Sequence, residues 1–167
     1  MSKTLASRLA SSPRLSRKAL DNMAGLAASL VNLLTPDVTI VVSPSLFVFR
    51  CRDREARLPP VLWLSGEGQR LRVLGVGDAP LLTEPYRRID LFNVGWDKKL
   101  TRDHEELIEA FCRYGIYKTL RRTFARPKTI VRGIDSFPGP EILAIRATLS
   151  RALVAAGVHE VVLDDEE

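Results

Sequence analysis

The sequence predicts an α/β domain with a five- to six-stranded mixed sheet flanked by helices, and three observations carry that prediction. β-Branched and aromatic runs crowd residues 38–77, each bounded by Pro, Gly or Ser. Between residues 101 and 164 the pattern changes to helix, strand, helix, strand, which is long enough for the crossover that a parallel pair requires. The chain has 167 residues, 46% of them hydrophobic, enough for one domain with its own core. Antiparallel hairpins followed by a βαβ unit imply a mixed sheet with helices on both faces.

Taken in order, residues 1–15 ("MSKTLASRLASSPRL") are rich in Ser and basic residues and hold no acid. They read as a flexible basic tail, with a targeting presequence as the other reading. Ser16 caps a helix over residues 16–35, with Leu20, Met23, Ala24, Ala27, Val31 and Leu34 on one face. Pro36 ends it. This helix is expected to pack on the domain. The competing reading, contact of residues 1–34 with a membrane surface, is weaker because the basic residues cluster at the beginning instead of along a polar face. "VTIVV" (38–42) and "LFVFR" (46–50) flank "SPS" and predict a tight hairpin, while "RCRDREARL" (50–58) reads as a solvated turn with its strand ends. "PVLWLS" (60–65) and "RLRVLGVG" (70–77) complete four strands, divided at Gly66 and Gly68, and residues 78–100 read as a loop.

Thr101 caps a helix to Phe124, whose stripe is Leu107, Ile108, Phe111, Cys112, Tyr114, Ile116 and Leu120. Acids in its first turn suit the helix dipole, and Gly115 weakens it as a continuous rod. "KTIVRGI" (128–134) is the next strand, "DSFPGP" a loop, Glu141–Ala156 a helix stopped by a left-handed Gly157, and "HEVVLD" (159–164) the last strand. Within the loop, Gly139 and Pro140 serve the helix start, a structural role.

This order and certain residues resemble subdomain IA of the actin-like superfamily, nearest to bacterial cell-shape proteins of the MreB type. The resemblance rests on the segment "PKTIVRGIDSFPGPEILAIRATLSRALVAAGVHEVVLDDEE", on "LRVLGVGDAP" and on "LFVFRCRDREARLPPVLWLS", which lie in collinear order over residues 38–166. It implies an actin-like or ribonuclease-H-like sheet. In that family the first hairpin carries an Asp-x-Gly-Thr loop, whose amides hold nucleotide phosphates and whose Asp organises a metal ion. The corresponding turn here is "VVSPS", without Asp, Gly or Thr, and Pro44 removes a donor. The family's second phosphate loop and adenosine pocket lie in another domain, which this sequence does not contain. The expectation is therefore an actin-like half-domain with an eroded phosphate loop, no cofactor and no enzymatic activity.

Other chemistry is sparse. A metal nuclease needs several carboxylates gathered at neighbouring strand ends. Asp90, Asp135 and Asp164 are the candidates, and each also reads as a loop, turn or tail residue. Cys112 falls on the buried stripe and reads as an inert thiol, Cys51 lies among arginines that lower a thiol pKa, and His104 reads as solvated. Two cysteines and two histidines suggest neither a disulfide framework nor a zinc site. "GEG" (66–68) and "GVG" (75–77) read as hairpin turns because neither leads from a strand into a helix.

Charge gives the one binding surface. Residues 1–35 hold Lys3, Arg8, Arg14, Arg17 and Lys18 against Asp21, a net +4 of the chain's +5. The rest is nearly neutral, which weakens a nucleic-acid reading based on overall charge. Between Phe111 and Ile134, however, Arg113, Lys118, Arg121, Arg122, Arg126, Lys128 and Arg132 occur without an acid, interleaved with Phe111, Tyr114, Tyr117 and Phe124. They predict a face for an acidic protein, anionic lipid or nucleic acid, or else helix-end cations with core aromatics. Arg132 interrupts an apolar strand and is expected to pair with Asp135 or a closing acid, or to guard an edge. The terminal "DDEE" suggests head-to-tail association with the basic stretch of a neighbouring copy. The leading function is a non-catalytic, cytoplasmic assembly or adaptor protein linked to cytoskeleton or cell shape, with a protein partner (itself or a cytoskeletal one) and no membrane span. The alternatives are a basic nucleic-acid-binding module and a divergent metal-dependent nuclease.

Overall fold

The computed structural model describes residues 36–66, 71–78, 85–92, 102–120, 126–139 and 142–164. All lie in one compact unit, Thr35–Glu167. The tail 1–15 and the helix expected over 16–35 fall outside the described residues, as do Arg121 and Arg122. The strands are β1 (Val38–Val42), β2 (Phe47–Cys51), β3 (Arg54–Leu58), β4 (Val61–Ser65), β5 (Arg72–Val76), β6 (Arg87–Asp90), β7 (Lys128–Arg132) and β8 (Glu160–Asp164). The helices are α1 (Arg102–Leu120) and α2 (Ile142–Ala155), and a 3-10 turn spans Ile134–Ser136.

The expected mixed sheet is present, with five strands in the order β3-β2-β1-β7-β8. The β1–β2 and β2–β3 pairs are antiparallel, whereas β1–β7 and β7–β8 are parallel. Strand geometry sends alternate side chains to opposite faces. On one face lie Val38, Ile40, Val42, Phe47, Phe49, Cys51, Thr129 and Val131, all buried. They share a single core with Ile108, Phe111 and Cys112 of α1 and Ile145, Leu149 and Leu153 of α2. Both described helices therefore cover the same face, where helices on both faces were expected, because successive right-handed crossovers stepping from β1 to β7 to β8 put them there.

Three readings of residues 50–92 change. The stretch taken as a solvated turn contains β3, and the turn shrinks to Arg52-Asp53, with Arg52 at φ 55°. Its charges hid a period of two: Ala56 and Leu58 face the core while Glu55 and Arg57 face away. β4 and β5 leave the main sheet and form a second, three-stranded antiparallel sheet in the order β5-β4-β6. Pro59 and Pro60 precede β4 and carry no N–H, so the ladder cannot run on through them. β6 lies in the stretch read as loop, and after it the Leu91 amide donates to the Pro60 carbonyl at 2.9 Å.

Aromatic packing joins the parts. The Phe47 ring centroid lies 5.0 Å from that of Phe92 and 5.3 Å from that of Phe111, and Phe92 lies 5.6 Å from Phe137. These distances suit offset and edge-on contacts. Gly115, the weak point of the helix pattern, has a packing reason: a Cβ there would sit 2.3 Å from the Phe49 ring, so α1 crosses β2 at this residue. α2 ends as its Gly157 signalled. Gly157 takes φ 102°, its amide reaches the Val154 carbonyl at 3.0 Å, and the Val158 amide reaches that of Leu153 at 3.1 Å.

Candidate functional site

In sheets of parallel strands, ligands bind beyond the carboxyl ends, where the connections leave room. Here those ends belong to β1, β7 and β8. The β1–β2 connection is Ser43–Leu46, closed by the Val42–Phe47 pair. The Ser43 amide donates to the Leu46 carbonyl at 3.0 Å and the Leu46 amide donates to Ser43 Oγ at 3.1 Å. Two of the turn's four nitrogens are thus used inside it, and a third, in Pro44, carries no hydrogen. A cradle of free amides, which is what holds a phosphate, is not built here.

The neighbouring exit from β7 is filled by backbone. Gly133 takes φ 79°, and a Cβ on it would meet the Val42 carbonyl oxygen at 2.7 Å. The Ser136 hydroxyl contacts the Gly133 carbonyl at 2.6 Å and that of Val42 at 3.2 Å. The three carboxylates considered for a metal centre do not converge. Asp164 takes the Arg132 guanidinium at 2.8 Å, Asp135 lies 3.5 Å from Arg146, and Asp90 pairs with Arg88 at 2.9 Å in the other sheet. Among the described residues, no group of three or more His, Cys, Asp or Glu side chains is placed to share a metal ion.

The basic run is dispersed by the fold. Arg113 and Lys118 sit on α1, over the covered face. Lys128 and Arg132 point from β7 to the opposite face, because Thr129 and Val131 between them point into the core. Arg113 pairs with Glu109 and donates to the Ala155 carbonyl at 3.1 Å, capping the end of α2. Lys118 lies 5.3 Å above the Tyr114 ring, a cation–π contact. Lys128 meets Glu160 at 2.9 Å, and Arg132 meets Asp164, one of the partners foreseen for it. Arg126 is exposed, and its carbonyl accepts a hydrogen bond from His159 Nδ1 at 2.7 Å. A run that is acid-free along the chain is therefore partly neutralised by residues distant in sequence.

Electrostatics follow burial. Cys112 is fully enclosed and its thiol is pushed up to about 12. Cys51 corrects the expectation of a depressed thiol: burial raises it and outweighs Arg52 and Arg54. On the exposed side, hydrogen bonds from Arg57 and Arg50 hold the Glu55 carboxyl below its ordinary value, and the hydrogen bond to Glu160 raises Lys128. His104 is not simply solvated; its Nε2 lies 2.9 Å from the Leu91 carbonyl and ties α1 to the end of β6.

One feature escaped the sequence reading. A groove of about 240 Å³ between α1 and α2 is lined by Glu105, Glu106, Glu109 and Arg151. Arg151 pairs with Glu105 at 2.6 Å, and the 105–109 spacing of one helix turn was its only signal. With this geometry in hand, comparison with known proteins adds no family: no protein-family model matches the chain, and no curated protein matches it. The fold and its surfaces define an α/β domain with a mixed five-stranded sheet and a small antiparallel sheet beside it.

Proposed function

We propose that this chain is a non-catalytic assembly or adaptor protein built on an actin-like subdomain, working in the cytoplasm through protein contacts near a cytoskeletal or cell-shape system. One observation carries the reading. The Ser43–Leu46 turn occupies the place where the resemblance puts a phosphate cradle, and it uses two of its three amides to close itself. Antiparallel hairpins followed by parallel β7 and β8 agree with the sheet that the resemblance implies. Pairing of Asp90, Asp135 and Asp164 with three different arginines argues against a two-metal nuclease. Division of the cations between opposite faces argues against a single nucleic-acid groove.

Calorimetric titration of the full chain with ATP and magnesium tests the reading. The expected result is no saturable heat at ligand concentrations up to about 1 mM, where even weak specific binding registers. Saturable binding overturns it. Retention on a polynucleotide resin that falls steeply with salt supports the nucleic-acid reading in its place.

A further inference from the structure

β8 is the last strand in the order β3-β2-β1-β7-β8, so among the described residues its outer edge pairs with no other strand. Such an edge is a template for another strand unless charge blunts it. The opposite edge, β3, is blunted by exposed Arg54, Glu55 and Arg57. β8 differs. It sets three apolar residues in a row, Val161, Val162 and Leu163, between acids paired to β7, Glu160 to Lys128 at 2.9 Å and Asp164 to Arg132 at 2.8 Å, whereas β3 has a charged residue at three of its five positions. Its chemistry is also symmetric about Val162: acid, three apolar residues, acid.

We propose that two copies of this chain join through β8, antiparallel about a two-fold axis at Val162, and so continue the sheet across the pair. In this register Val161 stands opposite Leu163 of the second copy on the helix-covered face, and Val162 stands opposite itself on the other. Glu160 falls opposite Asp164 of the second copy, each with its own cation beside it, so that no bare like charges meet. Slipping the register by two residues sets an acid against Val162, and slipping it by one sets the helix-covered face against the other. The sequence suggested a head-to-tail contact for the terminal acids; the symmetry of β8 favours a closed pair over an open array. The proposal rests on the assembly reading only in naming a second copy as a partner.

Val162→Cys in the full chain tests it. Both native cysteines are buried and stay out of the reaction. Facing residues of an antiparallel pair lie about 4.5–5.5 Å apart between Cα atoms, within the roughly 4.4–6.8 Å that a disulfide spans. Val154→Cys, at an α2 position that is 57% exposed, is the control. Mild oxidation is expected to convert the Val162 variant to a covalent dimer on a non-reducing gel and to leave the Val154 variant monomeric. Sedimentation of the unmodified chain should show a dimer, and Val162→Lys should weaken it by about tenfold or more. A chain that sediments as a monomer at every concentration overturns the proposal. So does equal crosslinking of the two cysteine variants. Should Val162→Lys fail to fold by circular dichroism, the cysteine pair still decides. A monomeric chain that also ignores ATP would sink this interface and leave the assembly reading standing.

Discussion

The two faces of the five-stranded sheet come from the same residues in alternation, yet they do different work. Under the helices lie Phe47, Phe49, Ile40, Val42 and Val131, each at most 2% exposed. On the other side, half-buried Thr39, Val41, Val48, Ile130 and Val162 run between cross-strand ion pairs: Arg50–Glu55–Arg57 at one end, Lys128–Glu160 and Arg132–Asp164 at the other. Area removed from water supplies most of the folding free energy, whereas exposed ion pairs contribute little. The helix-covered face therefore fixes the fold, and the ion pairs of the other face help set strand register.

The strongest challenge to that division is Phe47→Ala. Phe47 is fully buried and touches three other rings, so the loss should be about 3–5 kcal/mol, read from urea unfolding. Next comes Gly115→Ala. Alanine gains about 1 kcal/mol in helix propensity, but its Cβ would collide with the Phe49 ring, and a net loss of about 1–3 kcal/mol is expected. Adding Phe49→Leu should recover part of it. A stabilised single variant would mean that α1 does not cross β2 at this residue.

Cys112 sharpens the contrast through pH. Its thiol, ordinarily at 9.0, is raised to about 12 in the fold, so the neutral form is the one the core accepts. Its stabilising contribution is complete below pH 9 and is lost as pH climbs from 9 toward 12. Cys112→Ala should flatten this alkaline limb of the melting curve, and a thiol reagent at pH 8 should reach Cys112 only on unfolding. The smallest effect belongs to the charged face. Arg132→Ala breaks a pair whose side chains are 44% and 39% exposed, and should cost no more than about 1 kcal/mol. A larger loss would give that face a share in holding the fold.

The legible parts of this fold were those written in one period. α1 and α2 lie where their apolar stripes put them, and α2 ends at Gly157 as expected. β3 was missed because charges on one face masked Ala56 and Leu58 on the other. β6 was missed because Arg87-Arg88-Ile89-Asp90 offers a single inward apolar residue. The second sheet could not be read from strand count alone; what separates it is Pro59-Pro60, a backbone effect. For the candidate site, the lack of a phosphate cradle in the β1–β2 turn was visible in Ser43-Pro44-Ser45. The neutralisation of Lys128 and Arg132 was not, because Glu160 and Asp164 reach them only through the β7–β8 ladder.

The β1–β2 turn folds onto itself, and the central proposal is that it therefore takes no nucleotide. Amide hydrogen exchange across residues 42–47, with and without ATP and magnesium, measures this at the place where it matters. Unchanged exchange is the expected result. Protection of Ser43, Ser45 or Leu46 on adding the nucleotide would contradict it.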